Sequence, residues 1–486
     1  MVFKEIGDVI LRQSSEIIPK YYAIRDYLFS DNCVIEGRMK DFCQQLVHIG
    51  LFMNYFYSLY LVSMRGALNS ENNSERNADL KYVNAYIIEG YKALWGYKRQ
   101  NKSLWGKLIR LHSEIKDTDE YDEILDEITS LLKKYANISI TDKGERDLAM
   151  HYQVEVHGNP QELIKLDNIT LDEELNKYDQ FTPIYYKVIN CLPDMINHYL
   201  IAPYQQEIFQ VTSCLPTLDS MDQFFWANKL PKLSIALNRN IVSYTKAFER
   251  YKEIIIKYQD VFEKIKKQYD VELDDCKEML QMADVMLATS YFSLDVCSAL
   301  KIYFNSDLPI ERKIALARVN IICHSIIDRV YGYAERKGAY WERYITKPFI
   351  DSQFTDNVKE IESTMESLIA SNIYTPQKRT SFAHLDECNF LTAIDYIYES
   401  NPIVEVLNTQ KIIKILPKVQ QAVMDGCLQC DTNHKQRIAR KYTWVDECME
   451  KMEAYRNLPE INVIYESFRK LKEGDILGFF ENMHRC

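Results

Sequence analysis

Glycine and proline are scarce, 14 and 13 residues in a chain of 486. Together they make about 6% of the chain, roughly half the ordinary share. So few turn residues exclude most all-β architectures and favour long helices. Cysteine is dilute: the twelve Cys are spread over the whole chain and do not resemble a secreted disulfide framework. Positive charge is in deficit, with 59 Lys and Arg against 70 Asp and Glu, a net charge of −11. A broad basic face for duplex nucleic acid is not expected, although a local basic pocket is still compatible with this balance. No Gly-rich phosphate loop, nucleophile elbow or HExxH motif is present. The first twenty residues are amphipathic and lack the apolar core of a signal peptide. No window approaches 18 uncharged apolar residues, so no membrane span is expected. The reading is a protein of a reducing cytoplasm, with no metal and no cofactor. At 47% hydrophobic and 27% charged residues the chain is not disordered, and its length suits two to four domains.

The chain also resembles itself. At a shift of 236, Tyr82–Ile109 lies on Arg318–Ile345 without a gap. Val83, Asn84, Gly96, Tyr97, Trp105 and Ile109 match Val319, Asn320, Gly332, Tyr333, Trp341 and Ile345. The same shift places Tyr55-Phe56 on Tyr291-Phe292 and Asn69-Ser70 on Asn305-Ser306. A shift of 237 aligns the stretch from Glu16 to Tyr21 with that from Glu253 to Tyr258, and Leu192-Pro193 echoes Leu416-Pro417 at 224. The order of these matches carries the inference, since each alone is weak. It divides the chain into units at about 1–215 and 240–430 and a helical extension at 431–486. Within each unit the apolar spacing is helical. Gln45–Met64 is apolar along most of its length, Tyr82–Trp95 and Ile124–Tyr135 carry apolar stripes, and Phe181–Leu200 is a helix interrupted by Pro193. Four or five helices per unit, joined by short connections, predict a bundle. The expected fold is all-α, with two tandem helical-bundle units in a pseudo-two-fold arrangement.

One chemical constellation recurs in both units. Unit one has Arg146 and His151, and unit two has Arg379 and His384, each an Arg, four residues and a His. With nine His and 21 Arg, about one Arg lies four to six residues ahead of a His by accident. Arg318 and His324 are such a pair, but their counterparts are Tyr82 and Ile88, so that pair is set aside. Two spacings of the same length at matching places are much harder to obtain. Asp142 with Glu145 three residues on, and Thr375 with Pro376 behind it, are N-cap signals, so both motifs are expected to open a helix. The Arg is then the fourth helical residue in each. An exposed helix N-terminus favours an anion, Arg adds a planar cationic fork suited to phosphate, and His moves protons near neutral pH. Five residues turn a helix by about 140°, so this Arg and His do not share a face. The alternative for the same residues is an Arg bonded to a nearby carboxylate and a satisfied, buried His.

A helical bundle with an Arg-x4–6-His motif opening its last long helix resembles the HEPN superfamily, and this chain resembles two such units fused. The resemblance implies a dimer within one polypeptide, with both motifs facing one cleft. It also implies a metal-independent endoribonuclease leaving 2′,3′-cyclic phosphate and 5′-OH ends, in prokaryotic defence or a toxin–antitoxin setting. His151 and His384 would serve as base and acid, Arg146 and Arg379 would stabilise the transition state, and Asp147 would orient the pair. Lys143, Lys378 and Tyr152 would help hold RNA. Unit two departs from the pattern, with Thr380 where unit one has Asp147. HEPN-like units also include non-catalytic members, so the other function class is an interaction or ligand-sensing protein. The remaining features read as structural. Tyr91, Trp95, Trp105, Tyr331 and Trp341 have core spacing rather than that of a base-stacking platform, and Cys427 and Cys430 lack a second Cys pair for zinc.

Overall fold

Two helical hairpins of matched length form the centre of the molecule. In the computed structural model, the described residues are 2–96, 102–115, 120–136, 163–164, 169–216, 218, 221–269, 274–333, 339–341, 355–441, 443–473 and 482. Every regular element among them is a helix. The first hairpin is α2 (Gly37–Leu68) and α3 (Asn73–Leu94), flanked by α1 (Val2–Phe29), α4 (Leu104–Ile115) and α5 (Asp122–Ala136). Then follow α6 (Leu171–Ile196), a π-turn (Asn197–Ile201), α7 (Gln205–Thr212) and α8 (Met221–Ala227). The second hairpin is α10 (Asp274–Asn305) and α11 (Pro309–Val330), preceded by the 40-residue α9 (Leu230–Tyr269). The chain continues through α12 (Thr355–Ala370), α13 (Pro376–Ala383), α14 (Glu387–Glu399) and α15 (Pro402–Lys441). It ends in α16 (Thr443–Glu453) and α17 (Pro459–Lys472), which pack on each other and on α15.

The helix α11 starts and stops 236 residues after α3, and each is 22 residues long. Both end ahead of a glycine in the left-handed region, Gly96 at φ 80° and Gly332 at φ 84°. Only glycine enters that region without a steric penalty, which explains why the residue recurs there. Two expected boundaries fall inside continuous helices, 240 within α9 and 430 within α15. Pro193 does not interrupt its helix. α6 runs through it and passes into the π-turn only after Ile196. Burial of Leu192, Met195 and Ile196 holds the helix together across the missing N–H.

A single apolar core runs from Ile10 in α1 to Val423 in α15 and spans both hairpins. Trp105, Tyr91, Tyr331 and Trp341 belong to it, so these aromatics are packing groups. Two helices have, by length and composition alone, what a membrane crossing needs: Gly37–Leu68 and Ala283–Asn305, each with mean hydropathy 1.3. Tyrosines, serines and small residues keep charges sparse in these helices without a continuous aliphatic run. The whole of the first window and 89% of the second are buried inside the protein.

The hairpins pack against each other along a seam that contains buried charge. Arg318 of α11 bonds Asp79 of α3 and, at 2.8 Å, Asp295 of α10. Lys81 of α3 bonds the other oxygen of Asp295, and the Tyr82 hydroxyl donates to it at 3.1 Å. All four ionic side chains are at most 3% exposed. Burial pushes the Asp79 carboxyl up against the pull of Arg318, and lowers Lys81 to about 8 against the pull of Asp295. The ions persist in the interior because each faces its opposite.

At the hairpin turns the pairing is reciprocal. Arg65 of α2 lies 3.2 Å from Glu311 of α11, and Lys301 of α10 lies 2.8 Å from Glu75 of α3. Positions 65 and 301, and 75 and 311, are each 236 apart. Residues separated by 236 also meet each other directly. The Arg318 guanidinium lies 4.3 Å from the Tyr82 ring centroid. A Cβ on Gly66 would come within 2.7 Å of the Ile302 side chain. Between the turns is a cleft of about 70 Å³, room for a few water molecules, lined by Arg65, Asn69, Glu75, Lys301, Asn305 and Glu311.

Candidate functional site

Arg146, Asp147, His151, Lys143 and Tyr152 lie outside the described residues, as does Asp142. The side chains of Cys427 and Cys430 are likewise outside the description. The second motif is described in full.

Thr375 caps α13 as its sequence suggests. The side chain accepts from the Lys378 N–H at 3.2 Å, and Pro376 takes the first helical position. Arg379 is therefore the fourth helical residue. Tyr374, 2% exposed, anchors the helix entrance by donating to the Glu405 carbonyl at 2.9 Å. Ser381, Phe382 and Ala383 are buried, and α13 packs along α11.

The helix that carries the motif is not long. It has eight residues and ends at Ala383, so His384 stands just beyond it with extended backbone, φ −116° and ψ 132°. The cause is local. Leu385 is fully buried, and Asp386 caps the next helix by accepting from the Asn389 N–H at 3.3 Å. A segment committed to plugging the core and starting α14 cannot continue α13. The 140° separation expected for a continuous helix therefore does not apply to His384.

Arg379 is mostly buried and has no ion-pair partner among the described residues. Its Nε lacks any hydrogen-bond partner. Burial alone lowers its pKa to about 10. The structural alternative of an Arg bonded to a neighbouring carboxylate does not describe it. A desolvated guanidinium without an anion is costly, and an arriving oxyanion would satisfy it. Lys378 is engaged elsewhere, 3.8 Å from Glu405 and 5.3 Å from the Tyr396 ring centroid. Glu405 is buried, which raises its carboxyl to about 7.

His384 is held from the other hairpin. Its Nδ1 lies 3.4 Å from an Oε2 of Glu89 in α3. The Glu89 side chain is 2% exposed, whereas that of His384 is 26% exposed. With an ionised Glu89 as acceptor, Nδ1 would donate and Nε2 would be the basic nitrogen.

Three residues on, a second link crosses in the opposite sense. Glu387 of α14 lies 3.2 Å from Nδ1 of the buried His48 in α2 and pairs with Lys107 of α4. The hydrogen bond from His48, supported by Lys107, lowers the Glu387 carboxyl to about 2. Phe29 stacks on His48 at 5.6 Å, and Phe390 of α14 meets its edge. The short segment from His384 to Asp386 is thus tied to the first hairpin on both sides.

Sequence reasoning missed Glu89, His48 and Glu387, because nothing local distinguishes them from other charged helix residues. It also set Arg318 aside. A signal for the seam was available: Arg65 and Lys301, and Glu75 and Glu311, are like charges recurring at the repeat shift. The chain matches no family model, no curated protein and no solved structure.

Proposed function

We propose that the chain is a metal-independent endoribonuclease of the HEPN type, two units in one polypeptide related by a pseudo-two-fold axis. The observation that carries the catalytic reading is the second motif. A largely buried guanidinium with no ion-pair partner among the described residues opens a capped helix, and a part-exposed imidazole with a carboxylate at Nδ1 follows it. Such a set suits a phosphodiester, with Arg379 on the phosphoryl oxygens and His384 as proton carrier.

The reciprocal pairs Arg65–Glu311 and Lys301–Glu75 support the two-fold reading, since an isologous interface repeats each contact with the partners exchanged. Equivalent residues that touch, Tyr82 with Arg318 and Gly66 with Ile302, mark where the axis would pass.

In the reaction, one imidazole takes the proton of a ribose 2′-OH as that oxygen attacks phosphorus. The other imidazole gives a proton to the departing 5′-oxygen. A 2′,3′-cyclic phosphate and a 5′-OH result. The second imidazole in this reading is His151, with Arg146 and Asp147 beside it and Lys143 and Tyr152 as RNA contacts. A cytoplasmic setting in prokaryotic defence, with an antitoxin as partner, extends the same resemblance. A non-catalytic, ligand-sensing protein is the second reading, favoured by the net charge of −11 and by Thr380 in place of an acidic residue.

The test is cleavage of RNA in EDTA by wild type and by Arg379→Ala, His384→Ala and His151→Ala. Cyclic-phosphate ends from wild type, lost in the variants, are expected. Equal background from all four proteins would leave the ligand-sensing reading.

A further inference from the structure

We propose that Glu89 is a positioning residue for His384, so that the first half of the chain sets the reactive nitrogen of the second half's motif. The inference rests on the nuclease reading for its chemistry, but its geometry stands apart from it. Glu89 projects from the C-terminal part of α3, a helix buried on nearly every side, and its carboxylate is almost fully shielded from water. Such a carboxylate has a fixed rotamer and a strong field. The imidazole it faces then carries its proton on Nδ1, and Nε2 carries none. An unrestrained neutral imidazole prefers the opposite tautomer, with the proton on Nε2, which cannot accept a proton from a hydroxyl there.

Two further features fit this role. His384 has no helix to hold it, being outside α13, and its backbone is secured by its N–H donating to Thr380 at 3.0 Å. The tie from Glu387 to His48 and Lys107 then limits how far the segment can swing.

The arrangement is not doubled. The residue 236 positions after Glu89 is Ser325, whose hydroxyl donates to its own helix at the Ile321 carbonyl, 2.8 Å away. A carboxylate therefore serves His384 without an equivalent one at the matching place of α11. This asymmetry suits a site in which the two imidazoles have different tasks.

The experiment is ¹⁵N NMR of the full chain with labelled histidine at pH 8.5, the His384 signals being assigned by their loss in His384→Gln. Wild type should show Nδ1 protonated and Nε2 bare. Glu89→Leu, which removes the acceptor and keeps an apolar volume, should move His384 to the Nε2-protonated form. RNA cleavage should fall in the same variant by on the order of 100-fold. A wild-type His384 protonated on Nε2 overturns the proposal without recourse to any variant, and so does an unchanged tautomer in Glu89→Leu. If wild type cleaves no RNA yet the tautomer shifts as described, the nuclease reading fails and the positioning role stands.

Discussion

Replacing Arg318 by alanine is expected to destabilise the protein by about 3–5 kcal/mol, out of roughly 5–15 kcal/mol that a folded domain has in total. Arg318 is the only cation described as bonding both Asp79 and Asp295, and it also donates to the Ala78 carbonyl at 3.2 Å. Without it, Asp79 keeps only hydroxyl partners among the described residues, Ser298 at 2.9 Å and Ser70 at 3.4 Å. Asp295 retains Lys81 and Tyr82. A carboxylate left in this seam either binds a proton or forces the hairpins apart. Because burial already pushes Asp79 upward, the variant takes up a proton there, and its deficit grows as pH rises. Urea denaturation at pH 6 and pH 8 measures both effects. A loss below about 1 kcal/mol would show that the network contributes little to joining the halves.

The opposite sign is expected at Asp284. This residue of α10 is 6% exposed, its Oδ1 has no hydrogen-bond partner, and burial raises its pKa from 3.8 to about 8. A raised carboxyl contributes its stability below the unfolded pKa and loses it as pH climbs towards the folded one. At pH 7 the unfolded chain is ionised while the folded chain still holds the proton. The cost spans about three pH units, or about 4 kcal/mol. Asp284→Asn has the same shape and no such cost. It should be more stable than wild type by up to about 4 kcal/mol at pH 7, with the gain vanishing towards pH 4. A variant no more stable than wild type at pH 7, or one whose advantage is the same at both pH values, would contradict the assignment of a protonated Asp284.

The parts of the fold that were readable from sequence are those governed by local chemistry. The apolar rhythm located α2, α3 and α5, and the Thr375-Pro376 pair placed the start of α13. The recurring glycines at 96 and 332 mark helix ends because φ there is positive. The length of α13 is not legible in the sequence because Asp386 and the buried Leu385 decide it, and burial is not a local property. Glu89, His48 and Glu387 were invisible for the same reason. Each acquires its role from a residue some 300 positions away. In the sequence, Arg318 reads as a chance spacing ahead of His324. His324 is buried with neither ring nitrogen bonded, while Arg318 turned out to tie the hairpins together.

A HEPN-type nuclease in one polypeptide requires its two Arg/His motifs to share one phosphate. An experimental structure of the chain bound to an RNA dinucleotide with a 2′-deoxy sugar at the scissile position measures this directly. The expected result is a single phosphate contacted by Arg379 and Arg146, with His384 Nε2 and His151 on opposite sides of it. A dinucleotide bound away from α13, or the two motifs on separate faces of the protein, would contradict it.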